Sequence, residues 1–197
     1  MDKFCRIFQS ALRCIAIFVV VGTVAGAAGC SAADETSDLE PVRPEGRFSL
    51  TSHDNWSTTD SDTDPFVDRP AQVDCPASSL GPEELNGEQS FAVLTDFCTY
   101  VTARQATVED VYAGDTLNFR IFHFALEADE PSQAHVALRI GDQVLADETL
   151  AIPSSSGLIA GEMPAAVDMP AGTLVYFHVH NHGANEYSLV ELSGEAP

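Results

Sequence analysis

Three closely spaced histidines near the end of the chain, His178, His180 and His182, are the residues best suited to chemistry. Alternate residues of a β-strand leave the same face, so the first two imidazoles would lie about 6.5–7 Å apart along it. Such a strand offers two nitrogen ligands to copper, zinc or nickel, and His182 in the following turn could join them. His123 would complete the set if its strand is adjacent. These four histidines are therefore candidate ligands of a copper or zinc site, which is the alternative to a function as a non-catalytic binding or accessory module of the cell envelope.

A structural role is the alternative interpretation of these histidines. Histidines at strand ends often hydrogen-bond turn backbones and polar neighbours, and Asn181, Asn185 and Glu186 stand close by in the sequence. This interpretation predicts no cofactor at all. A blue-copper site is excluded on ligand type because it needs a cysteine thiolate, and Cys98 is better used in a disulfide.

The sequence contains no recognisable catalytic set, so we predict that the protein is not an enzyme. The serines at 154–156 lack the Gly-x-Ser-x-Gly context of a nucleophile elbow. Adjacent carboxylates such as Glu83-Glu84 would mostly point in different directions. Outward-facing aromatic residues could instead contact a polysaccharide or an envelope protein, unless the second sheet covers them; they are Tyr176, Phe122 and Phe124.

The histidines lie on a stretch whose apolar residues alternate, as expected for a half-buried strand; these residues are Val175, Phe177 and Val179. Residues 181–185 form a turn rich in residues that tolerate positive φ. Residues 186–192 are apolar and aromatic enough to return as a second strand. We therefore expect residues 174–192 to form a β-hairpin.

The preceding residues read as short strands separated by turn residues such as Gly141-Asp142. Two of these strands alternate cleanly, one through Leu117, Phe119 and Ile121 and the next through residues 136–140. No segment with the period of a helix has a useful length. The pattern predicts an all-β fold, a single antiparallel β-sandwich over residues 74–197.

The region contains four segments with recognisable turn and strand motifs: Ala113-Gly114-Asp115, the strand ending at Gly141-Asp142, Pro170-Ala171-Gly172-Thr173, and Glu186-Tyr187-Ser188-Leu189. Together they resemble the bacterial pre-peptidase C-terminal domain. The resemblance covers about residues 107–192 and implies a jelly-roll-like β-sandwich appended to a secreted protein. The histidines are not a feature of that family, and the acidic calcium ligands of some members have no counterpart here. The resemblance therefore implies the fold and not the site.

Residues 1–29 have the features of a signal peptide, with a basic start and an apolar run that is short for a membrane span. The run ends in Ala27-Ala28-Gly29-Cys30, which resembles the lipobox of bacterial lipoproteins and implies that Cys30 is lipidated. Because leucine is usual at the position of Ala27, ordinary cleavage and secretion is the alternative. By the same resemblance, Ser31 favours an outer-membrane lipoprotein that faces the periplasm or the cell surface.

Residues 30–73 are dominated by Ser, Thr, Asp, Glu and Pro, with isolated apolar residues. Such a segment buries too little surface to offset its ordering entropy, so we predict a disordered acidic tether. Residues 60–64 resemble the opening of a calcium loop. Pro65 stands where that loop needs glycine, and Ala71 where it needs glutamate, so we predict a solvated linker without calcium.

The charge and the cysteines agree with an exported protein. The formal net charge is −21, and three of the nine basic residues belong to the signal segment. This surface lacks the basic patch that nucleic acid requires, so the expected partners are the membrane, an envelope protein or a polysaccharide. Cys75 and Cys98 are the two thiols left after export and lipidation, and we predict a disulfide between them.

Overall fold

A computed structural model describes residues 45–197 as two antiparallel β-sheets that pack face to face. Strands are numbered in chain order. Sheet I has the spatial order β3 (Leu80–Leu85), β4 (Glu88–Leu94), β11 (Glu186–Glu195), β6 (Thr116–His123) and β9 (Gly157–Pro164), with β1 (Arg47–Ser49) also paired to β11. Sheet II has the order β2 (Ser57–Thr58), β5 (Tyr100–Ala106), β10 (Leu174–His180), β7 (Ser132–Ile140) and β8 (Gln143–Ile152). The predicted all-β sandwich is confirmed.

The core lies between the sheets and is built from the alternating residues that the sequence marked. Val175, Phe177 and Val179 of β10 are fully buried. Residues facing them from sheet I include Leu117 and Ile121 of β6, which are also fully buried. Each buried side chain of this kind contributes about 1.5–3 kcal/mol relative to an exposed one.

The expected hairpin between β10 and β11 does not form. β10 pairs with β5 and β7 in sheet II, whereas β11 pairs with β4 and β6 in sheet I. Residues 181–185 therefore connect the two sheets across one end of the sandwich. Asn181 and Asn185 hold this crossing, since Asn185 Nδ2 donates to Asn181 Oδ1 and Tyr187 Oη donates to the same oxygen.

The folded unit begins well before residue 74, so the predicted start of the sandwich is wrong. Residues 45–73 were expected to belong to the tether, yet β1 and β2 extend the two sheets. Leu50 is fully buried, and Thr59 is 6% exposed. The segment is held by strand pairing, since β1 pairs with β11 and β2 pairs with β5. The predicted signal peptide, Cys30 and residues 30–44 of the tether lie outside the described residues.

The predicted disulfide between Cys75 and Cys98 is confirmed. It joins residues 23 positions apart, one before a short 3₁₀ helix (Ala77–Ser79) and the other just before β5. Closing a loop of this length stabilises the fold by about 3 kcal/mol in the chain-entropy model. Within residues 45–197, no helix is long and apolar enough to span a bilayer.

Candidate metal centre

The four histidines predicted as ligands lie in three different environments. His178 and His180 project from the outer face of β10, the central strand of sheet II, and His178 is fully buried while His180 is half-buried. His182 follows in the turn and is exposed, with its ring centroid 5.4 Å from that of His180. The shared face of His178 and His180 is therefore as predicted, but this face is covered.

His123 does not join the group, contrary to the prediction. It lies on β6, which belongs to the other sheet, and its Nδ1 is 2.8 Å from the backbone oxygen of Phe124. Gly157 on the neighbouring strand leaves room for this ring, since a Cβ there would lie 2.6 Å from His123 Nε2. His123 is a buried structural residue of sheet I.

Two residues that the sequence did not single out complete the cluster. His135 on β7 stands directly opposite His180 in the strand register. Asp68 belongs to residues 59–69, here named the strap, which crosses the outer face of sheet II. Asp68 Oδ2 lies 3.0 Å from His135 Nδ1, 3.0 Å from His180 Nδ1 and 3.4 Å from His178 Nε2. One carboxylate oxygen thus meets nitrogens from three imidazoles.

The strap is attached to sheet II mainly through Asp64, whose side chain is 1% exposed. Asp64 accepts hydrogen bonds from Tyr100 Oη at 2.9 Å and from Thr102 Oγ1 at 3.0 Å. Arg69, also on the strap, forms an ion pair with it at 2.6 Å. Phe66 stacks on His178, with ring centroids 4.2 Å apart. These contacts place Asp68 over the histidines.

Hydrogen bonding determines which nitrogen of His178 carries its proton. Burial, the largest effect, lowers the pKa of His178 to about 4, so the ring is neutral at neutral pH. Thr102 Oγ1 lies 2.9 Å from His178 Nδ1. The single hydroxyl proton of Thr102 is donated to the buried carboxylate of Asp64, which is a stronger acceptor than the imidazole nitrogen. His178 Nδ1–H therefore donates to Thr102, and the lone pair of Nε2 faces Asp68.

The pKa of Asp68 is lowered, whereas the pKa of His135 is raised. Burial alone would raise the pKa of Asp68, but hydrogen bonds from His135 and His180 hold it well below its usual range. Burial would lower the pKa of His135, yet hydrogen bonds to Asp68 and Asp147 raise it. His135 Nε2 lies 2.8 Å from Asp147 Oδ1. Asp68 Oδ1 is buried without a hydrogen-bond partner among residues 45–197.

Asp68, His135 and His178 lie close enough together to hold a metal ion. Ligands about 2.0–2.1 Å from zinc in a tetrahedron are about 3.3–3.4 Å apart, close to the three distances around Asp68 Oδ2. Ligand atoms of Asp68, His135 and His178 all lie within 4.8 Å of one another. Without an ion, Asp68 Oδ2 accepts hydrogen bonds from His135 Nδ1 and His180 Nδ1, and the unprotonated Nε2 of His178 lies 3.4 Å from it. The cluster can thus hold a metal ion.

Sequence patterns missed His135 and Asp68 for different reasons. His135 precedes the alternating Val136, Leu138 and Ile140, so it lies on the outer face of β7, and only the strand order shows that β7 adjoins β10. Asp68 lies in a segment whose composition is that of a linker. The feature that could have indicated an ordered segment there is Phe66, an aromatic residue in a mostly polar stretch.

Comparison with known proteins gives distant structural similarity, with TM-scores below 0.5. No protein-family model and no curated protein matches the chain. A structure of a CBM4 module is similar at TM-score 0.39 and 13% identity, over 59% of this chain and 89% of that one. The K3 cleaved adhesin domain of Lys-gingipain from Porphyromonas gingivalis gives TM-score 0.42 and 15% identity, over 77% and 100%. A family 11 carbohydrate-binding module from Clostridium thermocellum, complexed with a mixed-linked tetrasaccharide, is similar at TM-score 0.36 and 13% identity, over 77% of this chain and 96% of that one.

Proposed function

We propose that this protein is an exported, lipid-anchored, non-catalytic binding module of the cell envelope that holds a divalent transition-metal ion. The ligands are Asp68, His135, His178 and His180. This set differs from the histidines expected from sequence spacing alone, because two of its members come from elements that only the fold brings together.

The observation that supports this proposal is the hydrogen bonding of the ring nitrogens that point away from Asp68, in His178 and His135. Histidines that bind metals usually donate their other N–H to a carboxylate, a carbonyl or a hydroxyl group, which fixes the ring. His178 has such a chain on Nδ1, through Thr102 to Asp64. His135 has Asp147 on Nε2. Both rings therefore present their remaining nitrogen to Asp68 in the orientation a metal ligand needs.

The donor types favour zinc or copper(II). Three imidazole nitrogens and one carboxylate oxygen suit these ions, whereas copper(I) favours sulfur ligands. The two cysteines among residues 45–197 are joined in the Cys75–Cys98 disulfide and offer no thiolate ligand. The burial of His178 and the half-burial of His180 limit access to solvent, which is typical of a site that retains its ion.

Calorimetric titration with zinc and copper(II) tests the proposal on a chain that begins at Cys30 and carries Cys30→Ser. We expect one equivalent to bind with micromolar or tighter affinity. Asp68→Asn and His180→Gln should each weaken binding about a hundredfold or more, because loss of a ligand exceeds the effect of losing an outer partner. His182→Ala is the matched control, since this exposed ring is adjacent but outside the cluster.

Two results would contradict the metal proposal. One is the absence of stoichiometric binding by the unmodified cluster. The other is equal affinity in Asp68→Asn, His180→Gln and the parent chain, which would place any bound ion elsewhere on the acidic surface.

The lipid anchor is tested separately, by following labelled palmitate into the full chain expressed in a bacterium. Incorporation that is lost in Cys30→Ala supports the anchor. A mature protein that begins before Cys30 and carries no label would instead show ordinary signal cleavage, and the metal site would be unaffected by that outcome.

A further inference from the structure

The chain has a single tryptophan, Trp56, and it lies apart from the metal cluster. Its ring stacks on Phe91 of β4, with centroids 4.7 Å apart and an interplanar angle of 17°. The indole Nε1–H donates to the backbone oxygen of Ser52 at 2.9 Å. These two contacts hold the half-buried ring in one orientation.

Trp56 lines a cleft of about 470 Å³ at the edge of the sandwich. One wall is apolar and includes Leu80 and Pro82 of β3. The other wall carries groups that can hydrogen-bond a ligand, namely His53, Asp54, Asn55, Ser57 and Thr58. A second cavity of about 220 Å³ shares Trp56 and Phe91, so the indole stands between the two.

Several polar groups of the cleft are available to a ligand. Within residues 45–197, neither the imidazole of His53 nor the carboxylate of Asp54 hydrogen-bonds another protein group. Asn55 has φ of 64°, in the left-handed region where asparagine is better tolerated than most residues. Its amide nitrogen makes only a long contact of 3.4 Å with Ser52 Oγ. Exposed polar groups thus surround a fixed aromatic ring.

We propose that this cleft binds a neutral saccharide chain, with one sugar ring packed against the indole of Trp56. A sugar ring has an apolar face of C–H groups and an equator of hydroxyls, so it matches a flat aromatic surface rimmed by donors and acceptors. The cleft volume falls within the range of about 300–1,000 Å³ that is usual for small-ligand sites. The overall charge of −21 and the carboxylate of Asp54 disfavour an anionic polymer.

This second site is independent of the metal centre. Neither cavity is lined by Asp68 or by any of the three clustered histidines. Failure of the metal proposal therefore leaves the saccharide proposal standing, and the reverse also holds.

Fluorescence provides a direct test because Trp56 is the only tryptophan. The chain beginning at Cys30, with Cys30→Ser, is titrated with cellohexaose, xylohexaose and mannohexaose, and with hexagalacturonate as the anionic counterpart. At least one neutral hexasaccharide should cause a saturable change in tryptophan emission, whereas hexagalacturonate should cause none. Calorimetry with the same sugar should give a matching dissociation constant.

Variants separate stacking from general packing. Trp56→Ala should weaken calorimetric binding about tenfold or more, since truncating a central tryptophan removes the main contact. Asn55→Gly should weaken it less, and this change keeps the backbone conformation because glycine tolerates positive φ. Phe124→Ala is the control, an aromatic residue 46% exposed elsewhere on the molecule. Its binding should equal that of the parent chain.

The proposal is overturned if none of the three neutral hexasaccharides changes the emission at millimolar concentration. It is also overturned if binding persists unchanged in both Trp56→Ala and Asn55→Gly. A response to hexagalacturonate alone would assign the cleft to an anionic ligand and contradict the proposal as well.

Discussion

Replacing Thr102 by valine tests how the sheet prepares His178 for metal binding. Thr102 is 1% exposed on β5, and it lies opposite His178 in the strand register. Valine has nearly the same shape and is favoured in strands, so the change removes the hydroxyl group with little disturbance of packing. Two buried hydrogen bonds are lost, one from His178 and one to Asp64.

The expected cost follows from these two bonds. A neutral hydrogen bond contributes about 0.5–1.5 kcal/mol and one to a charged group about 1.5–3 kcal/mol, so the metal-free domain should lose about 2–4 kcal/mol of unfolding free energy. Asp64 keeps its bonds from Tyr100 and Arg69, which should prevent a larger loss. Metal affinity should fall about 10–100-fold, because the ring of His178 is no longer fixed in orientation and tautomer.

Urea unfolding in the presence of a chelator measures the first quantity, and zinc calorimetry measures the second. Thr102→Ser is the matched control, since it restores the hydroxyl group and should recover most of the metal affinity. The reasoning is refuted if Thr102→Val folds and binds zinc as tightly as the parent chain. It is also refuted if Thr102→Ser is as weak as Thr102→Val.

Two further predictions concern stability. In the metal-free domain, His178 has a folded pKa of about 4 against an unfolded value near 6.5, so unfolding takes up a proton in this range. The contribution of His178 to stability should therefore be complete above about pH 6.5 and fall by up to about 3 kcal/mol toward pH 4. His135 has a raised pKa, so its contribution to stability is present below about pH 6.5 and is lost as the pH rises through its folded pKa. Urea unfolding at several pH values measures the two opposite pH dependences. Gly194→Ala would place a Cβ 2.6 Å from the ring of Phe48 and should cost about 1–3 kcal/mol, whereas Gly81→Ala meets nothing within 4 Å and should change thermal unfolding little.

The sequence predicted the strands well because their signal is local. Alternation in β10 places Val175 and Phe177 in the core, and the structure shows both fully buried. The disulfide was also predictable, since Cys75 and Cys98 are the two cysteines that lie outside the predicted signal segment and lipobox. These features depend on residue types and short spacings alone.

Pairing between strands could not be predicted in the same way. A strand, a turn of five residues and a second strand suit a hairpin and a crossing between sheets equally well. In the structure, the crossing is held by Asn181 and Asn185, whose side chains hydrogen-bond Thr95 and Glu127 on other connections. Such contacts join residues 58 and 86 positions apart, beyond any local pattern.

The candidate site was predicted only in part for a related reason. His178 and His180 share a face by strand periodicity, and this much is in the sequence. The sequence around Asp68 has the composition of a linker. Asp68 becomes part of the site because Asp64 and Phe66 attach the strap to sheet II. The stability of that segment comes from its partners, so its own composition does not show it.

Anomalous scattering at the zinc edge, from crystals of the zinc-loaded chain, would locate a metal ion bound between Asp68 and the three imidazoles. We expect one strong peak about 2.0–2.2 Å from Asp68 Oδ2, His135 Nδ1, His178 Nε2 and His180 Nδ1. A crystal whose zinc peaks lie only at His182 or at surface carboxylates, with the cluster unchanged, would contradict it.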